Sequence, residues 1–122
     1  MLTRKPNPLQ SKTEALMSRI VRLIAYLRNK HDIEKSWISQ LSRCGTSIGA
    51  NIAESRNAQS RADFVSKLSI ALKEADETVY WIDIIHQSGG LTDIESDSIS
   101  RDVKEIIYIL TSIIKTTKAN GL

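Results

Sequence analysis

"RCGTSIGANIAES", residues 43–55, decides how this chain is read, because it sets two glycines four residues apart inside an otherwise helical pattern. Each glycine costs a helix about 1 kcal/mol relative to alanine, so the stretch is either a loop or a helix that needs one side free of bulk. On a helical wheel Ile38, Leu41, Gly45, Ile48 and Ile52 share a core-facing arc, recurring at steps of three and four. Beside that arc runs a shoulder of Ser42, Thr46, Gly49 and Ala53, which Gly45 joins, and nothing there is larger than threonine. Small residues let a neighbouring helix approach closely, as small-xxx-small pairs do in membranes. A phosphate-binding loop fails as an alternative: "GTSIG" has no following Gly-Lys-Ser/Thr and follows no strand. The stretch reads as mid-helix.

The opposite shoulder is polar, with Arg43, Ser47, Asn51 and Glu54 in a narrow arc. Ser47–Asn51 and Asn51–Glu54 have the i,i+4 and i,i+3 spacings that bring side chains together. Two readings stay open: an exposed strip with internal hydrogen bonds, or a polar network against another helix or subunit.

Outward from this helix, which the pattern runs from about 34 to 58, three more stretches show helical periodicity and none shows sustained strand alternation. The first spans about 12–30 on the stripe Leu16, Ile20, Leu23, Ile24 and Leu27. Pro6 and Pro8 precede it, so residues 1–11 are expected to form an extended tail. "SRAD" (60–63) announces the third, whose stripe is Phe64, Leu68, Ala71, Ala75, Val79, Ile82 and Ile85 before Gly89-Gly90 stops it. "TDIE" (92–95) is a capping box for the fourth, which carries Ile99, Val103, Ile106, Leu110 and Ile113, widened by Ile107 and Ile114.

Residues 12–119 therefore predict a single all-α domain, an antiparallel up-down-up-down four-helix bundle with short connections. At 122 residues and 41% hydrophobic, the chain can bury a core without staples. Cys44 is the only cysteine and His31 and His86 the only histidines, so no disulfide, zinc set or other cofactor is expected. No apolar run is long enough to span a bilayer, and "MLTRKPNPLQSK" lacks a secretory h-region, which predicts a cytoplasmic protein without membrane contact.

Charge is uneven. Residues 1–30 carry seven basic residues against one acidic, whereas the rest of the chain is net negative and the whole is +3. Such asymmetry predicts a polar partner or complementary packing between chains, or else a merely solvated face. Lys12, Arg19, Arg22 and Lys30 fall along one flank of the first helix with Tyr26 among them, and Arg43, Arg56 and Arg61 could extend that surface. Cations that neutralise phosphates and an aromatic that stacks on a base suit a nucleic acid. Trp37, Trp81, Ile84 and Ile109 lie off the main stripes and support a second reading, a protein-interaction scaffold. Catalysis has little to stand on: the histidines lack a third partner, and no Glu-x-x-His pair exists to build a di-iron bundle site.

"SIGANIAE" (47–54), preceded by "QLSRCG" (40–45) and followed by "SRADFVSKLSIALKEADETVYWI" (60–82), resembles a bacterial family. These are four-helix-bundle proteins encoded by intervening sequences in large-subunit (23S) ribosomal RNA genes. The accessory protein of diversity-generating retroelements looks like a relative. The resemblance covers about residues 12–118, with Gly45, Ser47, Gly49, Asn51 and Glu54 in its signature, and Ser55 stands where many members have glycine. It implies a homo-oligomer, typically a pentameric ring, that binds RNA or DNA and has no established enzymatic activity. A protein partner such as a reverse transcriptase is the alternative it implies.

Overall fold

The computed structural model describes residues 7–121. Four helices follow in order: α1 (Pro8–Arg28), α2 (Lys35–Ser55), α3 (Arg61–Gln87) and α4 (Asp93–Ala119). No strand occurs among the described residues.

α1 starts earlier than the periodicity suggests. Asn7 is its N-cap, with the side-chain oxygen accepting from the Leu9 N–H at 2.9 Å, and Pro8 occupies the first turn. A proline there loses no hydrogen bond, because the first-turn N–H groups have no intrahelical partner. Residues 8–11 of the expected tail are therefore helix, and Leu9 is buried in the core. The rest of that tail, residues 1–6, lies outside the described residues. α2 is shorter than the expected 34–58. It ends at Ser55, whose buried hydroxyl donates to the Ile52 carbonyl at 2.6 Å.

The other boundaries follow local chemistry. Ser60 caps α3 by accepting from the Asp63 N–H at 3.0 Å, and Asp63 reaches back to the Gln59 N–H at 3.2 Å. α3 closes with Gly89 at φ +88°, while the Gly90 N–H donates to Ile85 and the Gly89 N–H to His86. That is the Schellman pattern, and its left-handed residue favours glycine. Thr92 and Glu95 form the reciprocal capping box of α4.

One face of every helix meets in a single core. Leu16, Ile20 and Leu27 come from α1, Leu41 and Ile48 from α2, Leu68, Ile82 and Ile85 from α3, and Val103, Ile106 and Leu110 from α4. On α3 the buried position is Thr78, with Phe64 and Val79 only partly covered. The Thr78 hydroxyl donates to the Glu74 carbonyl at 2.7 Å and sits 3.3 Å from the Cys44 sulfur, so its polarity is satisfied. Trp37, Trp81 and Ile109, expected at the surface, pack half-buried against the core, and Ile84 is also half-buried. The large exposed apolar or aromatic side chains are Val21, Tyr26, Ile70, Tyr80, Ile94 and Tyr108.

The two glycines of α2 face α1. A Cβ on Gly45 would meet Ile20 Cγ2 at 2.9 Å, and one on Gly49 would meet Met17 at 2.7 Å. Close approach of α1 is thus what the small shoulder provides. Thr46 and Ala53, at the shoulder's outer edge, stay exposed.

Neighbouring helices pair their residues in opposite order. Met17 and Ile20 of α1 lie on Gly49 and Gly45 of α2. Arg43 and Glu54 of α2 meet Glu77 and Lys67 of α3. Arg61 and His86 of α3 meet Asn120 and Asp93 around α4. Lys12, Arg19 and Tyr26 of α1 meet Glu105, Asp102 and Glu95 of α4.

Candidate nucleic-acid interface

The basic flank of α1 lies along its seam with α4, where Lys12 and Arg19 meet carboxylates. Lys12 pairs with Glu105. The Arg19 guanidinium donates to Asp102 Oδ2 at 2.6 Å, to the Ser98 carbonyl at 3.2 Å and to the Ser98 hydroxyl at 3.0 Å. The Tyr26 hydroxyl donates to Glu95 Oε2 at 2.6 Å. Lys30 donates to the Gly90 carbonyl at 3.0 Å, and its Nζ stands 4.4 Å from the Tyr26 ring centroid. Arg22 turns to its own helix, donating to the Ser18 hydroxyl at 3.1 Å. A hollow of about 390 Å³ opens between the two helices, with Arg19, Arg22, Tyr26 and Glu95 on its rim and Leu23 and Leu91 inside.

This seam perturbs two groups. The Thr92 backbone N–H, then the Tyr26 hydroxyl, stabilise the Glu95 carboxylate and lower its pKa. The Tyr26 side chain as a hydrogen-bonding neighbour raises the pKa of Lys30, with Glu95 adding a Coulombic pull. Both shifts favour the charged forms.

The remaining sequence-derived cations lie elsewhere. Arg43 bridges α2 to α3 through Glu77 and, at 3.2 Å, Glu74; the Glu77 hydrogen bond chiefly raises its pKa. Arg61 donates to the Asn120 carbonyl at 2.6 Å and ties the start of α3 to the end of α4. Arg56 is exposed in the α2–α3 turn. The eight candidates therefore do not form one surface: five follow the α1–α4 seam, one the α2–α3 seam, and two sit at one end of the bundle.

The polar strip of α2 also resolves differently from its spacing. The Asn51 amide donates to the Ser47 carbonyl at 2.9 Å, and the Ser47 hydroxyl to the Arg43 carbonyl at 2.8 Å. Neither the Ser47–Asn51 nor the Asn51–Glu54 side-chain contact forms, because the backbone acceptors one turn back are nearer. The strip's two ends instead face α3, through Arg43 to Glu74 and Glu77 and through Glu54 to Lys67 at 3.4 Å.

Unspent cations appear on α4, where sequence reasoning did not look. Arg101, Lys104 and Lys115 are exposed and make no ion pair or side-chain hydrogen bond among the described residues. With Tyr108, which is 74% exposed, they recur at steps of three, four and seven and so share one outer face. Asp97 stands at one end of it. The signal was present as a periodic basic stripe, masked by the net negative charge of residues 31–122.

Among the described residues no group of three His, Cys, Asp or Glu could hold a metal. Cys44 is fully buried, and burial pushes its thiol pKa up. His86 is held by Asp93 at 2.6 Å, and His31 lies in the α1–α2 loop. No described helix is long and apolar enough to cross a membrane.

Comparison with known proteins places this geometry in a family. The family model described as 23S rRNA-intervening sequence protein matches residues 7–112. A crystal structure of a protein of unknown function from the S23 ribosomal protein family of Bacteroides thetaiotaomicron VPI-5482 superposes with TM-score 0.84 at 45% identity, over 88% of this chain and 98% of that one. No curated protein matches. The chain belongs to the 23S rRNA-intervening sequence protein family.

Proposed function

We propose that this member of the 23S rRNA-intervening sequence protein family is a non-catalytic, cytoplasmic nucleic-acid-binding protein that works as a homo-oligomer, with a pentameric ring favoured. Its protomer is an antiparallel up-down-up-down bundle, as the opposite pairing order at all four helix seams supports. The observation that carries the binding reading is the outer face of α4. There Arg101, Lys104 and Lys115 flank an exposed Tyr108 and make no ion pair among the described residues. Lysine and arginine displace counterions from phosphates, and an exposed ring offers a stacking platform.

The test is binding to structured RNA and to duplex DNA across a salt series. Affinity should fall linearly with salt on logarithmic axes, and Arg101→Glu/Lys104→Glu should weaken it at least tenfold and flatten the slope. Binding without salt dependence, or a double variant that binds like wild type, overturns the reading. Arg19→Glu is a poor probe, because it would set a carboxylate against Asp102 and disturb the α1–α4 seam itself. RNA and DNA run in parallel decide which is preferred.

A protein-interaction scaffold, for instance an accessory subunit of a retroelement reverse transcriptase, is the second reading. It is favoured by the exposed Ile94, Val21 and Tyr80, which lie off the core. Co-purification separates the two: nucleic acid in the eluate supports the first, a stoichiometric protein the second.

A further inference from the structure

The corner where α1 hands over to α2 holds a second concentration of positive charge, built as a concavity rather than a face. A cavity of about 600 Å³ is lined there by Arg28, Lys30, His31 and Lys35, with Ser39 beside them and Ile33 and Ile38 as its apolar part. No carboxylate lines it. The nearest acidic residues are otherwise disposed: Asp32 lines an adjoining hollow of about 440 Å³, and Glu34 accepts from the Ser36 hydroxyl at 3.2 Å. Arg28 and Lys35 make no ion pair or side-chain hydrogen bond among the described residues, while Lys30 is anchored on the Gly90 carbonyl.

A concavity lined by one sign of charge focuses its field, which favours an anion far more than the same charges spread over a convex face. Arginine can grip a phosphate through two parallel N–H bonds, and lysine adds a point charge. α2 begins at the same corner behind its N-cap residue Glu34, whose side chain makes no capping hydrogen bond. A volume of this size suits a small molecule rather than a bare ion. Ile33 and Ile38, both buried, supply an apolar floor for a sugar or base.

We infer that the α1–α2 corner cavity is a phosphoester site that takes one nucleotide, its phosphate held by Arg28 and Lys35 and its apolar part seated on Ile33 and Ile38. The inference deepens the nucleic-acid reading and rests on it for the natural source of the nucleotide. A free nucleotide and a nucleotide at the end of a nucleic-acid chain present the same chemistry to this cavity.

Amide chemical-shift titration of the full chain tests it, with adenosine 5′-monophosphate and inorganic phosphate as probes. Adenosine monophosphate should shift residues 28–39 selectively and bind more tightly than inorganic phosphate. Arg28→Glu/Lys35→Glu should weaken it about tenfold or more, as expected for the loss of charge-assisted hydrogen bonds. Lys73→Glu on the exposed side of α3 should leave it unchanged. A short single-stranded oligonucleotide with and without a 5′-phosphate assigns the source. A gain from the 5′-phosphate, abolished by Arg28→Glu/Lys35→Glu, makes it a chain terminus, whereas monophosphate binding without that gain makes it a free nucleotide. Shifts scattered over all basic residues, or monophosphate binding unmoved by the double variant, overturn the inference. Oligonucleotide binding that depends on Arg101 and Lys104 would then survive alone, so the two failures are distinguishable.

Discussion

At the scale of single residues, the two glycines of α2 look equivalent in sequence but rest on different neighbours. Gly45 abuts Ile20, a β-branched side chain that is fully buried and stiff at χ1. Gly49 abuts Met17, which is unbranched and only partly buried. Alanine improves helix propensity by about 1 kcal/mol at either position, while overpacking costs about 1–3 kcal/mol where the neighbour cannot yield. Gly45→Ala should therefore destabilise by about 1 kcal/mol and Gly49→Ala should be nearly neutral, as read by urea unfolding; equal effects would show that the two contacts yield alike. Gly49→Leu exceeds what Met17 can clear, and should disrupt packing or assembly. Ser100 offers the opposite case, since its hydroxyl is buried with no hydrogen-bond partner among the described residues. Ser100→Ala removes that cost and should stabilise by about 1 kcal/mol in the same assay.

At the scale of elements, boundaries written in side-chain code were legible and those written in packing were not. The Thr92–Glu95 box, the Ser60 cap and the Gly89-Gly90 stop all stand where the sequence sets them, because each acts within one turn of chain. α1 begins upstream of its expected start because Asn7-Pro8 is a cap followed by a favoured first-turn residue rather than part of a tail. Helical period found the core stripes but not the seams. Whether Arg19 is a free cation or a partner of Asp102 depends on a residue 83 positions away, which no local pattern carries. The α4 cap makes a testable case. Thr92→Ala should cost about 1 kcal/mol, as lost N-caps do. Glu95 has a lowered pKa in the folded protein, so the folded state binds its proton less readily than the unfolded chain does. Its contribution is fully present above the ordinary glutamate value of about 4.3 and is lost as pH falls through the lowered folded value. Thermal melts of wild type and Glu95→Gln should differ at pH 6 and converge near pH 2; a constant gap would show that the carboxylate charge is not what the cap uses.

At the scale of the whole molecule, two cations of α1 turn out to belong to an internal pairing. Lys12 and Arg19, with Tyr26 between them and the bundle's end, meet three carboxylates of α4, so part of the charge asymmetry along the chain is compensated within the protomer. The outer face of α4 is the extended basic surface left for a partner, beside the α1–α2 corner cavity, and it suits either a nucleic acid or a neighbouring subunit. Tyr108 distinguishes them, because its ring is largely exposed rather than packed in the core. If α4 faces nucleic acid, Tyr108→Ala removes a stacking platform worth about 1–3 kcal/mol and lowers RNA affinity roughly tenfold without altering the assembly. If α4 is instead the subunit contact, losing a large aromatic from its centre changes the assembly first. Light scattering should give the wild type a mass of several times the 13.7 kDa chain, five times if the ring is a pentamer. The same mass is expected for Tyr108→Ala, together with weakened, still salt-dependent RNA binding. A smaller assembly for the variant would move the binding face off α4, and a monomeric wild type would remove the ring.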